Sequence, residues 1–231
     1  MSNTKITVLC AGAVEPGLAK IIDPFRRETG HDVKITFATA PAILERLAGA
    51  NISDVVIAPL GVLREWEKTR KPASGDQVTV GRIGVGIVVR DGALLPKIAT
   101  VSEFKQSLLS SEWLVYNQAS TGIYLEGLFE RLGIAAQLKS KTTRYPDAGA
   151  VLNHVSKGNG NEIGLAALTV IIESERNGLK LVGPLPPEIQ NYTSYAAVVS
   201  RDSRVFDAAQ EFVRYLASPE AKKALSAAGI E

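Results

Sequence analysis

The chain has 231 residues, and its 26 basic residues against 24 acidic ones give a net charge of +2. Apolar residues make up 45% of the sequence and charged residues 22%, which is ordinary for a soluble globular protein. A net charge this small, without a cluster of Lys or Arg, argues against a nucleic-acid partner. No apolar stretch approaches the ~18 residues needed to span a bilayer, so direct membrane insertion is not expected.

Cysteine and histidine are too scarce for a disulfide or a common metal site. Cys10 is the only cysteine, and it lies in the apolar run 6–11, where a small buried residue is expected. The two histidines are His31 and His154, and His154 falls in a helical run that favours a packing or surface position. The sequence therefore predicts no metal ion and no cofactor.

The first five residues lead directly into the first predicted strand, without the basic region and apolar segment of a secretory signal. Two compartments therefore remain open. The chain is expected to be cytoplasmic if Met1 is its native start, and periplasmic if a signal peptide has been removed.

Short β-rich runs alternate with helical patterns, which predicts an α/β fold with parallel sheets flanked by helices. In the first part of the chain the predicted elements are a strand at 6–11, a helix at about 14–28 closed by Gly30, a strand at 33–37, a helix at 41–48 ended by Gly49, a strand at 54–58 and a long strand at 77–90. Gly81, Gly84 and Gly86 suit a strand that bends as it crosses between two lobes.

A second α/β series begins after residue 92. Its predicted elements are a helix ending near 110 and capped by Thr100 or Ser102, a strand at 113–117, a helix at 121–132 capped by Ser120 and ended by Gly133, a strand at 142–145, a helix at 147–156, strands at 162–166, 179–183 and 192–200, and two terminal amphipathic helices. The proline-rich link 184–187 cannot continue either regular structure. This order predicts one lobe of residues 1–80 and 196–231 and a second of residues 81–195, with a ligand cleft between them and a hinge at the crossings.

Two strand-to-helix loops rich in small residues indicate anion binding. Residues 11–14 join the first strand to the first helix, and residues 117–122 do the same in the second lobe. Backbone N–H groups at the start of a helix attract negative charge. Simple capping by Ser120 also explains the second loop, so both interpretations remain open.

Other polar segments are weaker candidates. The sequence Thr39-Ala40 opens another helix after a strand, and the polar and aromatic segment 190–195 lies at the second crossing, either to close over a ligand or as an exposed edge strand. Arg82 and Arg144 are able to pair with ligand carboxylates, with surface positions as the alternative. No nucleophile elbow, phosphate-binding loop or zinc-protease motif is present.

Several motifs resemble the periplasmic molybdate-binding proteins of ABC importers, which have the type II solute-binding fold. The resemblance is carried by residues 8–14, 28–33, 53–58, 116–117, 122 and 163–166. It implies hydroxyl-bearing ligand donors at positions that hold Ala13, Ala40 and Ala167 in this sequence. Each lost charge-assisted hydrogen bond costs about 1.5–3 kcal/mol, so tight molybdate binding is not expected.

Residues 183–190, with Tyr192, Thr193 and Tyr195, resemble a divergent branch of the same family that includes aconitate isomerase. We therefore expect a type II, two-lobed binding protein that holds a small anion, an organic carboxylate rather than molybdate, in the interlobe cleft. A membrane component of an ABC importer is the expected partner if the chain is exported. The predicted ligand-binding residues are Gly12, Ala13, Thr39, Ala40, Arg82, Asn117, Ser120, Thr121, Gly122, Gln190, Tyr192 and Thr193.

The alternative function is an isomerase of unsaturated carboxylates on the same fold. Its reaction needs a group that removes a proton and a group that returns it at another carbon. Tyr124, Tyr195 and Glu188 are the candidate catalytic residues.

Overall fold

The computed structural model describes residues 4–49, 53–69 and 77–231. Residues 1–3, on which the expectation about a signal peptide partly rests, lie outside these ranges. The chain forms two units, unit 1 with Met1–Ile83 and Thr193–Glu231 and unit 2 with Gly84–Tyr192. Both points at which the chain passes from one unit to the other lie inside strands, β4 (Val78–Arg90) and β9 (Tyr192–Val199).

The sheet of unit 1 has the strand order β2-β1-β3-β9. Besides β9 and the start of β4, its elements are β1 (Lys5–Ala11), a 3-10 turn (Gly12–Val14), α1 (Glu15–Leu18), α2 (Ile22–Thr29), β2 (Asp32–Ala38), α3 (Ala40–Leu47), β3 (Val55–Pro59), α4 (Leu60–Thr69), α10 (Phe206–Tyr215) and α11 (Pro219–Ser226). Strand β1 lies between β2 and β3 and is parallel to both, whereas β9 is antiparallel to β3. Every residue of β3 is buried, which its continuous apolar sequence predicts.

The sheet of unit 2 has the order β4-β7-β5-β6, with β8 also paired to β4. Its further elements are α5 (Val101–Ser110), β5 (Trp113–Asn117), α6 (Ser120–Arg131), α7 (Ala135–Leu138), β6 (Thr142–Tyr145), α8 (Ala148–Lys157), β7 (Glu162–Ala167), α9 (Leu168–Ser174) and β8 (Leu179–Pro184). Strand β5 is parallel to β6 and β7, and β4 is antiparallel to β7 and β8. The predicted α/β class is confirmed, but both sheets are mixed rather than purely parallel.

Helices cover both faces of the sheet in unit 2. Leu114 and Tyr116 of β5 belong to one apolar core with side chains from α5, α6 and α7. Val115 points the other way and belongs to a second core with side chains from α8 and α9. This alternation is the period-two pattern of a strand that is buried on both sides.

The single helix expected at 14–28 is wrong. The structure has the 3-10 turn and α1, then a break at residues 19–21, then α2. Pro24 explains the break, because proline has no N–H to donate to the carbonyl of Lys20 and its ring would collide with that carbonyl in a continuous helix. The predicted C-terminal cap is confirmed, since Gly30 has φ 76° and its N–H donates to the Arg26 carbonyl at 2.9 Å.

Capping was predicted correctly at α5 and wrongly at α6. Thr100 accepts the Glu103 N–H at 3.1 Å, and the Glu103 carboxylate accepts the Thr100 N–H at 3.2 Å, forming a capping box. At α6 the N-cap residue is Ala119, without a side-chain cap, and Ser120 is the first helical residue. Helices α4, α7 and α9 were not predicted. Among the described residues, no helix is both long and apolar enough to cross a membrane.

Candidate functional site

The loop between β5 and α6 is the candidate binding loop of unit 2. The Asn117 side chain is only 3% exposed, and its Oδ1 accepts the N–H groups of Ala119 at 2.9 Å and Gly122 at 3.3 Å. Asn117 therefore provides the helix cap that was expected from Ser120. Its Nδ2 donates to no group in the described part of the chain, so both N–H donors of this amide are left at the start of α6.

Gly122 allows this arrangement by its missing side chain. A Cβ at this position would lie 1.6 Å from the Asn117 carbonyl oxygen, far inside any tolerated contact. Ser120 and Thr121 are half-buried, and neither hydroxyl makes a hydrogen bond within the described ranges. The structure thus brings Asn117, Ser120, Thr121 and Gly122 together at the first turn of a helix of 12 residues, where neutral donors favour an anion.

Arg144 lies beside this loop but is already paired. Its guanidinium forms an ion pair with Glu126 of α6 and lies 5.5 Å from the centre of the Tyr116 ring. Burial and the Glu126 carboxylate raise the pKa of Tyr116, and Arg144 acts in the opposite sense. The charge of Arg144 is therefore largely neutralised by a residue of its own unit.

In unit 1, two predicted loops meet at one edge of the sheet. Ala11 and Ala38 are paired at the ends of parallel strands β1 and β2. Gly12 and Ala13 follow β1 in the 3-10 turn, and Thr39 follows β2 as the N-cap residue of α3, whose first residue is Ala40. The Thr39 side chain forms no cap hydrogen bond.

Cys10 of β1 and Tyr195 of β9 are buried near that edge in unit 1. Cys10 is fully buried, as expected, and burial, with a contribution from the Glu15 carboxylate, raises the pKa of its thiol. Tyr195 is also buried, and burial and Cys10 raise the pKa of its hydroxyl, although a hydrogen bond with Thr193 acts in the opposite sense. Tyr195 therefore stays protonated at neutral pH.

Arg82 is engaged by the end of the chain. Its guanidinium donates to the Glu231 carboxylate at 2.9 and 3.1 Å, and the backbones of the two residues exchange hydrogen bonds of 2.7 and 3.0 Å. Gly81, at φ 153°, permits this approach, because a Cβ would lie 2.5 Å from Ile230. The predicted ligand arginine thus has an intramolecular carboxylate partner.

Gln190 is held in the same way in unit 2. Its Oε1 accepts the Val85 N–H at 2.9 Å, its Nε2 donates to the Val85 carbonyl at 3.0 Å, and Oε1 also accepts the Asn191 N–H at 2.9 Å. The Tyr124 hydroxyl donates to the Ile189 carbonyl at 2.6 Å. These contacts fix the segment that leads to β9, and a sequence gives no sign of them because Val85 is 105 residues away from Gln190.

The remaining candidates at the second crossing are more exposed. Tyr192 is 39% exposed, and Thr193 is half-buried. Glu188 is exposed in a 3-10 turn (Pro187–Ile189). Glu162, in contrast, is 6% exposed, and its carboxylate accepts the N–H groups of Asn159 and Gly160 at 3.1 Å.

The histidines have structural partners. His154 Nδ1 lies 2.9 Å from the Tyr145 hydroxyl, and His31 Nε2 lies 3.4 Å from a Glu211 oxygen. Within residues 4–49, 53–69 and 77–231, no group of three or more His, Cys, Asp or Glu side chains is arranged to hold a metal ion.

Known proteins resemble the chain over nearly its whole length. Aconitate isomerase from a Pseudomonas species is 29% identical, covering 99% of this chain and 88% of that protein. The periplasmic molybdate-binding protein of Azotobacter vinelandii has a TM-score of 0.82 at 16% identity over 98% of both chains. The sulfate-binding protein of Mycobacterium tuberculosis has a TM-score of 0.75 at 18% identity, covering 99% of this chain and 86% of that one.

These likenesses confirm the predicted type II periplasmic-binding-protein fold. At such low identity, the solved structures say nothing about the ligand. A family model described as bacterial extracellular solute-binding protein matches residues 6–231. On the strength of that match, the chain belongs to the bacterial extracellular solute-binding proteins.

Proposed function

We propose that this solute-binding protein binds a small organic carboxylate rather than molybdate. The observation that carries the proposal is the 29% identity with aconitate isomerase over 99% of the chain. Aconitate is an unsaturated tricarboxylate, so this relative points to ligands with several carboxylate groups.

The residues at the start of α6 support a carboxylate. Asn117 Nδ2 and the hydroxyls of Ser120 and Thr121 are neutral donors, and the helix start adds a partial positive charge. A carboxylate accepts several such bonds through its two oxygens. Arg82 and Arg144 are each paired with a glutamate, so we expect recognition through neutral donors.

The alanines in the other loops argue against molybdate. Ala13 and Ala40 stand where the resemblance implies serines, and Ala167, at the start of α9, stands where it implies a tyrosine. Methyl groups cannot donate to an oxyanion, but they suit the apolar carbon atoms of an organic acid.

Thermal unfolding against a ligand panel tests the proposal. The panel contains molybdate, tungstate, sulfate, phosphate, citrate, both aconitate isomers and smaller dicarboxylates. A ligand at 100 times its dissociation constant stabilises the folded state by about 2.7 kcal/mol. For a chain of this size the midpoint should rise by roughly 5–10 °C. The proposal is wrong if molybdate or tungstate gives this shift and the carboxylates do not.

An isomerase of unsaturated carboxylates is the second candidate, favoured by the same relative. One group would remove a proton from carbon, the double bond would move, and the proton would return at the other end of the shifted system. Donors at the helix start would stabilise the negative charge that develops on the carboxylate. Because Tyr195 keeps its proton, the role we assign to it is donation to that charge, with Tyr124 and Glu188 as the remaining candidates for proton transfer.

Proton NMR distinguishes catalysis from binding. Either aconitate isomer is incubated with the protein in deuterated buffer, and interconversion with deuterium uptake supports the isomerase. A protein that binds aconitate without interconverting it is a binding protein only. If Tyr195 acts in turnover, Tyr195→Phe should abolish interconversion and largely spare affinity. Tyr215→Phe, which removes a hydroxyl from α10, is the matched control.

The partner and the compartment follow from which function holds. A carboxylate-binding protein of this family would act outside the cytoplasm, where it would deliver its ligand to the membrane component of an importer. The isomerase fits a cytoplasmic location as well. Fractionation of cells that express the native gene, with detection of this chain in the periplasmic or the cytoplasmic fraction, tests the assignment.

A further inference from the structure

The sequence contains two Asn-Gly steps, Asn159-Gly160 and Asn177-Gly178. Such steps are prone to spontaneous deamidation, because glycine has no Cβ to hinder the approach of its own nitrogen to the preceding side chain. The glycine nitrogen attacks the asparagine Cγ and expels ammonia, and water then opens the cyclic imide to aspartate or isoaspartate. The reaction requires that the glycine N–H loses its proton and that the nitrogen is free to move.

Glu162 opposes this reaction at Asn159-Gly160. Its carboxylate is nearly buried and accepts the Asn159 N–H at 3.1 Å. Both of its oxygens also accept the Gly160 N–H, each at 3.1 Å. The neighbouring Glu112 carboxylate accepts the N–H of the next residue, Asn161, at 3.2 Å, so the Gly160 N–H is bound by Glu162. These contacts hold the backbone in place, and the negative charge disfavours loss of the amide proton.

The pair Asn177-Gly178 has no such restraint. Asn177 and Gly178 are both exposed in the turn between α9 and β8. The Asn177 N–H donates to the Ser174 carbonyl at 2.9 Å, whereas the Gly178 N–H donates to no group in the part of the chain that the structure describes. Nothing lies within 4 Å of the position that a Gly178 Cβ would take.

We propose that Asn177 is a site of spontaneous deamidation in the folded protein and that Glu162 protects Asn159 from the same reaction. The product gains a carboxylate, and its isoaspartate form lengthens the backbone by one methylene directly before β8. The Gly178 carbonyl accepts the Asp91 N–H at 2.9 Å, and Leu179 pairs with Arg90. The modification therefore falls on the start of the β4–β8 pair.

Peptide mass spectrometry measures the deamidation of Asn159 and of Asn177 in one sample. The full chain is incubated in mildly alkaline buffer and digested at intervals with a glutamyl endopeptidase. Peptide 176–188 contains Asn177 as its only asparagine, and peptide 131–162 contains Asn159, located by fragmentation. In the folded protein we expect Asn177 to react at least roughly tenfold faster, the factor that one hydrogen bond to a charged group supplies. In denaturant the two rates should become similar.

Equal rates in the folded protein, or a faster reaction at Asn159, would overturn the proposal. Asn177→Gln should remove the modification from peptide 176–188. Glu162→Gln should accelerate the reaction at Asn159, and Glu112→Gln, which removes the neighbouring carboxylate without touching the bonds to Gly160, is the matched control. Circular dichroism confirms that each variant is folded, and a folded Glu162→Gln with an unchanged Asn159 rate would refute the protective role.

Discussion

Replacing Asn117 with aspartate tests the proposed ligand donor while sparing the fold. The substitution keeps an oxygen to accept the Ala119 and Gly122 N–H groups and turns the Nδ2 donor into a second oxygen. A lost bond to a charged ligand costs about 1.5–3 kcal/mol, and two charges 4 Å apart repel by about 4 kcal/mol at an effective dielectric constant of 20. These terms are not additive, so we expect at least about 4 kcal/mol in total, which weakens binding roughly a thousandfold.

Titration calorimetry with the carboxylate that stabilises the unsubstituted protein measures this loss. Without ligand, Asn117→Asp should melt at the same temperature or higher, because a carboxylate at a helix start stabilises by about 0.3–1 kcal/mol. Asn153→Asp adds the same charge at an exposed position on α8 and should bind normally. If Asn117→Asp keeps its affinity, Asn117 serves only as a cap, and the donor argument is refuted.

Three further substitutions test the fold around these loops. Burial raises the pKa of Asp54, but hydrogen bonds, chiefly from Thr7, outweigh it and lower the pKa, so its stabilisation is present above about pH 3.9 and is lost as the pH falls through the folded-state pKa. Urea melts of Asp54→Asn should therefore show a weaker loss of stability on acidification. Gly122→Ala forces a Cβ to within 1.6 Å of the Asn117 carbonyl and should cost at least about 3 kcal/mol in chemical denaturation. Lys141→Met removes bonds of 2.6 and 2.7 Å to two carbonyls at the end of α5 and should cost about 1–3 kcal/mol, and an unchanged midpoint would contradict it.

Much of the fold could be predicted because its signals are local. Buried strands such as β3 and β5 are continuous apolar runs, Gly30 and Gly133 have the positive φ that ends a helix, and Thr100 and Glu103 stand at capping-box spacing. The break between α1 and α2 also has a local signal, Pro24, which the prediction of one helix at 14–28 did not take into account. The mixed strand order could not be predicted, since pairing of β4 with β8 depends on contacts between distant parts of the chain.

The places of the candidate loops in the fold could be predicted better than the contacts of their side chains. Loops that follow parallel strands are expected at one edge of a sheet, and the structure has Gly12 and Thr39 there. The partners of individual side chains were beyond the sequence. Asn117 and Ser120 are both good caps, and only geometry shows that the asparagine acts from two residues before the N-cap. Gln190 was expected to face a ligand because it is polar and lies in a loop, yet its amide is occupied by Val85.

This division of the polar side chains bears on what the protein can bind. Arg82 and Gln190, two of the predicted ligand residues, form internal bonds that a ligand would have to break. Asn117, Ser120 and Thr121 keep donors that no described residue uses, and all three belong to one helix start. A ligand can therefore bind these donors without breaking a hydrogen bond within the described part of the chain. An anion with several acceptor oxygens can engage all of these donors, which is why our proposal of carboxylate binding rests on the α6 loop rather than on the arginines.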